Sequence, residues 1–247
     1  MIRILYLIII VLAAGCSAGT RSNKQQEPAK PVILTTNNAG RGPVIEVELT
    51  KGKSFYYPLF AVWLEDEDGK YIQTLYVAQS VATGVFRYAK QGSRKWETGS
   101  KRAPQTLPYW AHKRGIKAAD GLFMPDEGSK VPDAYTGATP TTAFVLNARV
   151  DEELPQIFRV MFEINQNWDW NEYWTNDRYP DDENYKMSCQ PALVYEAVID
   201  RGSPATEYTM KPAGHSHYSG KTGELFTDLS TLTTALEIAG SITVRIK

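Results

Sequence analysis

The chain has 247 residues, 43% of them apolar and 22% charged. That make-up belongs to a globular protein with a real core and excludes a disordered or fibrous chain. The formal net charge is −1, so the whole molecule lacks the basic footprint of a nucleic-acid binder and no nucleic-acid partner is expected.

Residues 1–15 read as a signal peptide. Met1-Ile2-Arg3 is a short basic start, and Ile4 to Leu12 is an apolar run too short to span a bilayer as a helix. Leu12-Ala13-Ala14-Gly15-Cys16 resembles a bacterial lipoprotein box, which implies cleavage before Cys16 and lipidation of that residue. Acyl chains hold a protein at a membrane without crossing it. Residues 16–42 are polar, rich in Gln, Asn, Lys, Pro and Gly, and read as a lipid-anchored flexible tether. Ser17 follows the cysteine with no run of acids beyond it. The expected address is therefore the periplasmic side of a bacterial membrane, the outer membrane being the favoured one. Of the 2 cysteines, lipidation takes Cys16, so Cys189 is left alone and reads as a packed small hydrophobe.

Residues 43–247 read as one β-sandwich domain. Pro43 to Thr50 alternates apolar and polar residues, as a half-buried strand does. Phe60 to Leu64 and Tyr71 to Val77 are apolar runs joined through Asp68-Gly69, which predicts a hairpin. Phe86 to Lys117 carries nine Lys/Arg against one acid, a local balance of +8. The remaining 18 basic and 27 acidic residues carry −9. Such a block can face anionic headgroups, help hold a flavin phosphate, or simply be solvated. Within it, Leu107 to His112 reads as a short helical turn.

Strands are expected at Ala143 to Leu146, Ile157 to Ile164, Ala192 to Ile199 and Ser241 to Lys247. Asp177 to Asn184 and Gly214 to Gly223 read as loops. A short helix is expected over Leu229 to Ile238, capped by Asp228 or Ser230. Many β runs without a βαβ rhythm predict a mostly β fold. The expectation is an antiparallel immunoglobulin-like β-sandwich with long loop insertions and one or two short helices.

The stretch that reads as chemistry is Asp133-Ala134-Tyr135-Thr136-Gly137-Ala138-Thr139. It resembles the acceptor motif on which extracytoplasmic flavin transferases place a covalent FMN. By that resemblance Thr139 is the acceptor and Asp133, Thr136, Gly137 and Ala138 frame it. Gly137 and Ala138 keep the approach uncluttered, and Asp133 can orient the loop. Pro140 follows, where such motifs usually carry an aliphatic residue. The plain reading of the same residues is a Gly-containing turn before a strand.

Two further candidates compete. Trp168, Trp170 and Trp174, interleaved with Asp169 and Glu172, can stack sugar rings, cap one end of a sandwich, or shield a flavin ring near Thr139. His215 and His217 sit two apart and are weak metal candidates, since two ligands do not make a site. No catalytic nucleophile, base and orienting group can be assembled from the motifs, so an enzyme is not the favoured reading.

From Phe60 to Lys247 the chain resembles a bacterial family of predicted periplasmic proteins of unknown function. The carrying residues are Val62-Trp63-Leu64-Glu65-Asp66 with Gly69-Lys70 and Thr74-Leu75, Leu107-Pro108 with Trp110, and the Asp133 to Pro140 stretch. The resemblance implies an immunoglobulin-type sandwich, and a redox setting with a flavin transferase and membrane redox proteins as partners. The functional expectation is a lipid-anchored electron carrier with FMN on Thr139. The alternative is a non-catalytic binding or assembly module for a carbohydrate or protein ligand.

Overall fold

The structure is a computed structural model that describes residues 30–91 and 95–247. In chain order the elements are β1 (Val32–Thr36), β2 (Val44–Lys51), β3 (Leu59–Asp66), β4 (Tyr71–Ala78), α1 (Gln79–Thr83), β5 (Val85–Gln91), β6 (Trp96–Ser100), α2 (Pro108–Arg114), β7 (Thr136–Gly137), β8 (Phe144–Arg149), β9 (Ile157–Asn165), α3 (Glu183–Ser188), β10 (Leu193–Asp200), β11 (Tyr208–Thr209), β12 (Lys211–His215) and β13 (Ala239–Ile246). One sheet runs β1-β8-β2-β13-β11 and the other β12-β10-β9-β3-β4-β7, while β5 and β6 form a separate two-stranded ribbon.

The two large sheets face each other as a sandwich. Ile45, Val47 and Leu49 of β2, Phe144 and Leu146 of β8, and Ile242 and Val244 of β13 point inward from one side. Phe60, Val62 and Leu64 of β3 and Phe158, Val160, Phe162 and Ile164 of β9 meet them from the other. This is the period-2 pattern at work. The expected hairpin is present as β3–β4, turned by Gly69 at φ +78°.

β3 and β9 are buried on both faces, because a third layer covers the outside of the six-stranded sheet. Ala61, Trp63, Met161 and Val194 on that face pack against Leu107, Trp110, Met124 and Val131. The long insertion between β4 and β8 is therefore a lid over the sheet, anchored by α2. Pro108 opens α2 and Gly115, in the left-handed region, closes it. The Trp110 indole N–H donates to Thr74 Oγ1 at 3.0 Å.

Several expectations change. Residues 16–42 are not a tether throughout: Val32–Thr36 forms β1, paired in parallel with β8. Its β-branched Val, Ile and Thr residues complete the sheet, and Asn37 ties its end to Arg149 O and Asp151 Oδ1, both at 2.7 Å. Residues 16–29, the signal peptide and Cys16 lie outside the described residues. The sandwich is mixed, since β4–β7 is also parallel. The described residues hold three short α-helices, one more than the sequence reading allowed; α3 begins inside the loop expected over Asp177 to Asn184, and Asp182 caps it by accepting from Tyr185 N–H. The helix expected over Leu229 to Ile238 is a single 3-10 turn, Thr234–Glu237. No helix among the described residues is long and apolar enough to cross a membrane.

Arg102 shows how the third layer is tied together. Its guanidinium makes a bidentate contact with Asp120 at 2.6 and 3.1 Å and donates to Met124 O and Pro125 O. Arg102→Met is expected to cost about 1–2 kcal/mol, read as a lower urea midpoint. An unchanged midpoint would show that the insertion is held by packing alone.

Candidate functional site

The Asp133 to Thr141 stretch is not a free loop. Asp133–Tyr135 makes one 3-10 turn, and Thr136–Gly137 then adds to the edge of β4. Tyr76 on β4 donates its hydroxyl to Gly137 O at 3.1 Å and Ala138 O at 3.0 Å. A Cβ on residue 137 would lie 2.9 Å from the Tyr76 ring, so the close approach requires glycine. Tyr135 donates to the Asp151 carboxylate at 2.8 and 3.0 Å, and the Asn37 N–H donates to Ala134 O.

Within this frame the candidate residues take different parts. Asp133 is exposed, and its carbonyl accepts from the Thr136 hydroxyl at 3.2 Å. Ala138 is exposed, Thr139 is half-buried and Pro140 is buried. Among the described residues the Thr139 hydroxyl is not engaged in a hydrogen bond. β7 runs parallel to β4 and packs on α1. The chain therefore leaves Gly137 toward the end of the sheet where β4 passes into α1.

That end of the sheet carries a cleft of about 260 Å³. Ser80 of α1 lines it. Tyr57, just ahead of β3, forms one wall, and Phe86, Arg87 and Tyr88 of β5 another. Tyr57 is held at φ +52°, a conformation uncommon outside glycine and asparagine. The neighbouring turn is pinned through Gln166, which accepts from Tyr56 N–H at 2.6 Å and donates to Ser54 O. Asn165 binds the cleft floor by donating to Gln105 O at 3.0 Å and Ser188 Oγ at 2.9 Å.

Two groups in the cleft lack the partners such groups normally have. Lys101 makes its one close contact with the weak acceptor Met187 Sδ, at 3.6 Å, and burial pulls its pKa down. No acid lines the cleft. Gln105 is 2% exposed and its Oε1 has no hydrogen-bond partner, which costs free energy until a donor arrives. Tyr57 and Tyr88 remain 62% and 61% exposed. A cation beside aromatic faces suits a flat, electron-rich ligand, while the Gln105 Oε1 is closed off from the cleft.

The other candidates separate. Trp168 and Trp170 are each 57% exposed, whereas Trp174 is buried. Trp174 packs on Tyr185, Tyr218 and His215, and its indole N–H donates to Thr231 Oγ1 at 3.1 Å. The three tryptophans therefore do not share a stacking face. Trp174 packs at the β12 edge, the edge of the six-stranded sheet opposite β7. Trp168 donates its N–H to Met187 O, which sets it beside the cleft instead.

His215 stacks on Phe226 at 5.3 Å, with Nδ1 against Ser216 O at 2.8 Å. His217 stacks on Tyr218 at 4.4 Å. Burial lowers the pKa of both. Among the described residues no group of three or more His, Cys, Asp or Glu is placed to hold a metal ion. The Cys189 thiol is buried, and that burial pushes its pKa up to about 11, far from a reactive thiolate.

The basic block is not one patch: Lys113 pairs with Glu65 at 3.2 Å, Arg114 lies over Trp110, and Arg102 is spent on Asp120. Lys101 and Arg87 are left at the cleft. The sequence counted these two among many cations, and it carries no local signal for Tyr57 or Gln105.

The chain matches no protein-family model, no curated protein and no solved structure. Its own fold and site define a two-sheet β-sandwich with a covering third layer and a cationic, aromatic-walled cleft at one end.

Proposed function

We propose that this chain is a lipid-anchored extracytoplasmic flavin carrier bearing FMN on Thr139. The observation that carries the reading is the setting of Thr139. Its hydroxyl is uncommitted among the described residues, its neighbours Gly137 and Ala138 are small, and the segment is pinned by Tyr76 at the edge of β4.

In the transfer, the Thr139 oxygen forms a bond to the FMN phosphorus of FAD. The pyrophosphate P–O bond breaks, AMP leaves, and the hydroxyl proton passes to a base on the transferase. Bound FMN supplies reversible electron-transfer chemistry, while the protein's part is to hold and tune it. The signal peptide and lipoprotein box support an anchored site outside the cytoplasm, where a flavin transferase and membrane redox proteins are the matching partners.

The test is co-expression of the mature chain with a flavin transferase in a periplasm, followed by in-gel flavin fluorescence after denaturation. The native band should fluoresce, Thr139→Ser should retain the signal, and Thr139→Ala should lose it entirely. Thr139→Ala should shift stability by no more than about 0.5 kcal/mol, since no native hydrogen bond is removed. A dark native band, with a known acceptor labelled in the same cells, overturns the reading. The exposed Tyr57, Tyr88 and Trp168 around the cleft then favour a non-catalytic module for a diffusible ligand.

A further inference from the structure

We infer that the end of the sandwich around Tyr57, Tyr88 and Trp168 is a membrane-contact face, which sets its aromatic side chains among the headgroups of an anionic lipid bilayer. The face carries this role whether or not Thr139 is a flavin acceptor.

Three observations converge. The first is placement. Four of the five most exposed aromatic side chains among the described residues gather here: Tyr56, Tyr57, Tyr88 and Trp168. Tyr57 and Tyr88 line one cleft with Asn167 and Met187. Tyr56 meets Tyr57 edge-on at 4.9 Å, and Trp168 follows Asn167 and donates its N–H to Met187 O. Tyr and Trp favour a membrane–water interface, where the ring is sheltered and its O–H or N–H stays wet.

The second is backbone cost. Tyr57 and Trp168 are held at φ +52° and +61°, where glycine and asparagine are at ease and a bulky side chain is not. Both side chains stay largely in water, so burial within the fold does not offset that cost. Strain that the fold itself does not use points to function.

The third is charge. Arg87 and Lys101 line the same cleft, no acid does, and neither makes an ion pair among the described residues. The Arg87 guanidinium lies 5.5 Å from the centre of the Tyr88 ring. Lys90 and Lys95 extend the charge along the β5–β6 ribbon, where Glu97, opposite Lys90, is the one acid among the described residues. The negative potential of an anionic bilayer attracts such cations. A free anion would meet the two cations and leave the rings in water, whereas a bilayer engages both.

The experiment uses the mature chain, residues 16–247, made without acyl groups so that binding reports this face alone; it keeps every described residue. The native chain should sediment with vesicles of phosphatidylglycerol and phosphatidylcholine in equal parts, and bind pure phosphatidylcholine at least about tenfold more weakly. Tyr57→Asn with Trp168→Asn should cut binding at least about tenfold. The same pair should hold or raise the urea midpoint, because asparagine suits both backbone positions; a merely structural role for the rings would lower it. Arg87→Gln with Lys101→Gln should weaken binding to the anionic vesicles about 25-fold, about fivefold for each charge, and leave the weak binding to phosphatidylcholine unchanged. If the asparagine pair lowers the midpoint, the charge pair decides. A native chain that stays in solution, equal binding to the two kinds of vesicle, or a charge pair that binds as the native chain does overturns the inference and leaves the face to a soluble ligand.

Discussion

Glu163→Gln is expected to leave the protein no more stable than the native chain in acid and several kcal/mol more stable, relative to it, in alkali. Glu163 lies on the outer face of β9, fully buried. Its Oε1 accepts the Tyr109 N–H at 3.1 Å and its Oε2 the Trp110 N–H at 2.8 Å. Those are orphan donors of the first turn of α2, whose N-cap Leu107 supplies no side-chain partner. A strand carboxylate thus caps a helix of the covering layer.

Burial dominates the group and pushes its carboxyl from the ordinary 4.5 up to about 8, while the backbone donors pull the other way. The folded chain therefore holds this proton more tightly than the unfolded chain. The resulting stability is complete below pH 4.5 and is lost as pH rises through about 8. At about 1.4 kcal/mol per unit, the loss is about 5 kcal/mol in all, a large share of the roughly 5–15 kcal/mol that holds a domain together.

Gln does not titrate, so the difference in unfolding free energy between the two proteins should swing toward the variant by about 4 kcal/mol between pH 5 and pH 9. Groups that titrate in both proteins cancel in that difference. Urea unfolding at the two pH values reads it directly, and a difference that stays flat would sink the assignment. Glu163→Ala should show the same alkaline swing from a lower baseline: it too removes the titrating group, but it strands two N–H groups at every pH and costs about 1–3 kcal/mol for each.

Apolar alternation announced β2 and β13, a β-rich run announced β9, and Asp68-Gly69 announced the β3–β4 turn, because each signal is local. Glu163 gave none, for its partners are 53 and 54 positions away. The same holds for the basic block. Lys113 meets Glu65 across 48 positions and Arg102 meets Asp120 across 18, so a run of charge dissolves into separate structural pairs. The short strand β1, Val32-Ile33-Leu34-Thr35-Thr36, is a β-branched run set among polar residues, and it takes the edge that β8 offers.

The acceptor motif was visible as composition, but its rigidity depends on Tyr76, 61 positions upstream of Gly137. The tryptophan cluster misled for the opposite reason. Its members are neighbours in sequence, yet the chain turns at Trp168 with φ +61°, and Trp174 goes inward while the other two stay out. The cleft itself is assembled from five separate stretches, 57–59, 80–88, 101–106, 167 and 187, and nothing short of the fold reveals it.

Phe60→Ala is expected to be the most damaging single truncation in the sandwich and to reach the acceptor segment as well. The Phe60 ring stacks on Phe144 of the facing sheet at 4.7 Å, and on Tyr76 at 4.8 Å and Phe162 at 5.3 Å in its own. It is wholly buried, and its removal leaves a cavity between two sheets that cannot close without sliding. The cost should be about 3–5 kcal/mol, seen as a lower urea midpoint.

Tyr76 loses its stacking partner in the same variant, and its hydroxyl is what holds the carbonyls of Gly137 and Ala138. Amide exchange over Thr136 to Ala138 should therefore accelerate by more than the global loss of stability explains. Tyr76→Phe separates the two effects: it keeps the ring, removes only the hydroxyl, and should loosen the segment while costing about 1 kcal/mol. Were Phe60→Ala to cost under about 1 kcal/mol, the range of an ordinary surface change, the four-ring stack would not be the keystone of the sandwich. Were it costly but silent in exchange at Gly137, the acceptor segment would be held by its pairing to β4 alone.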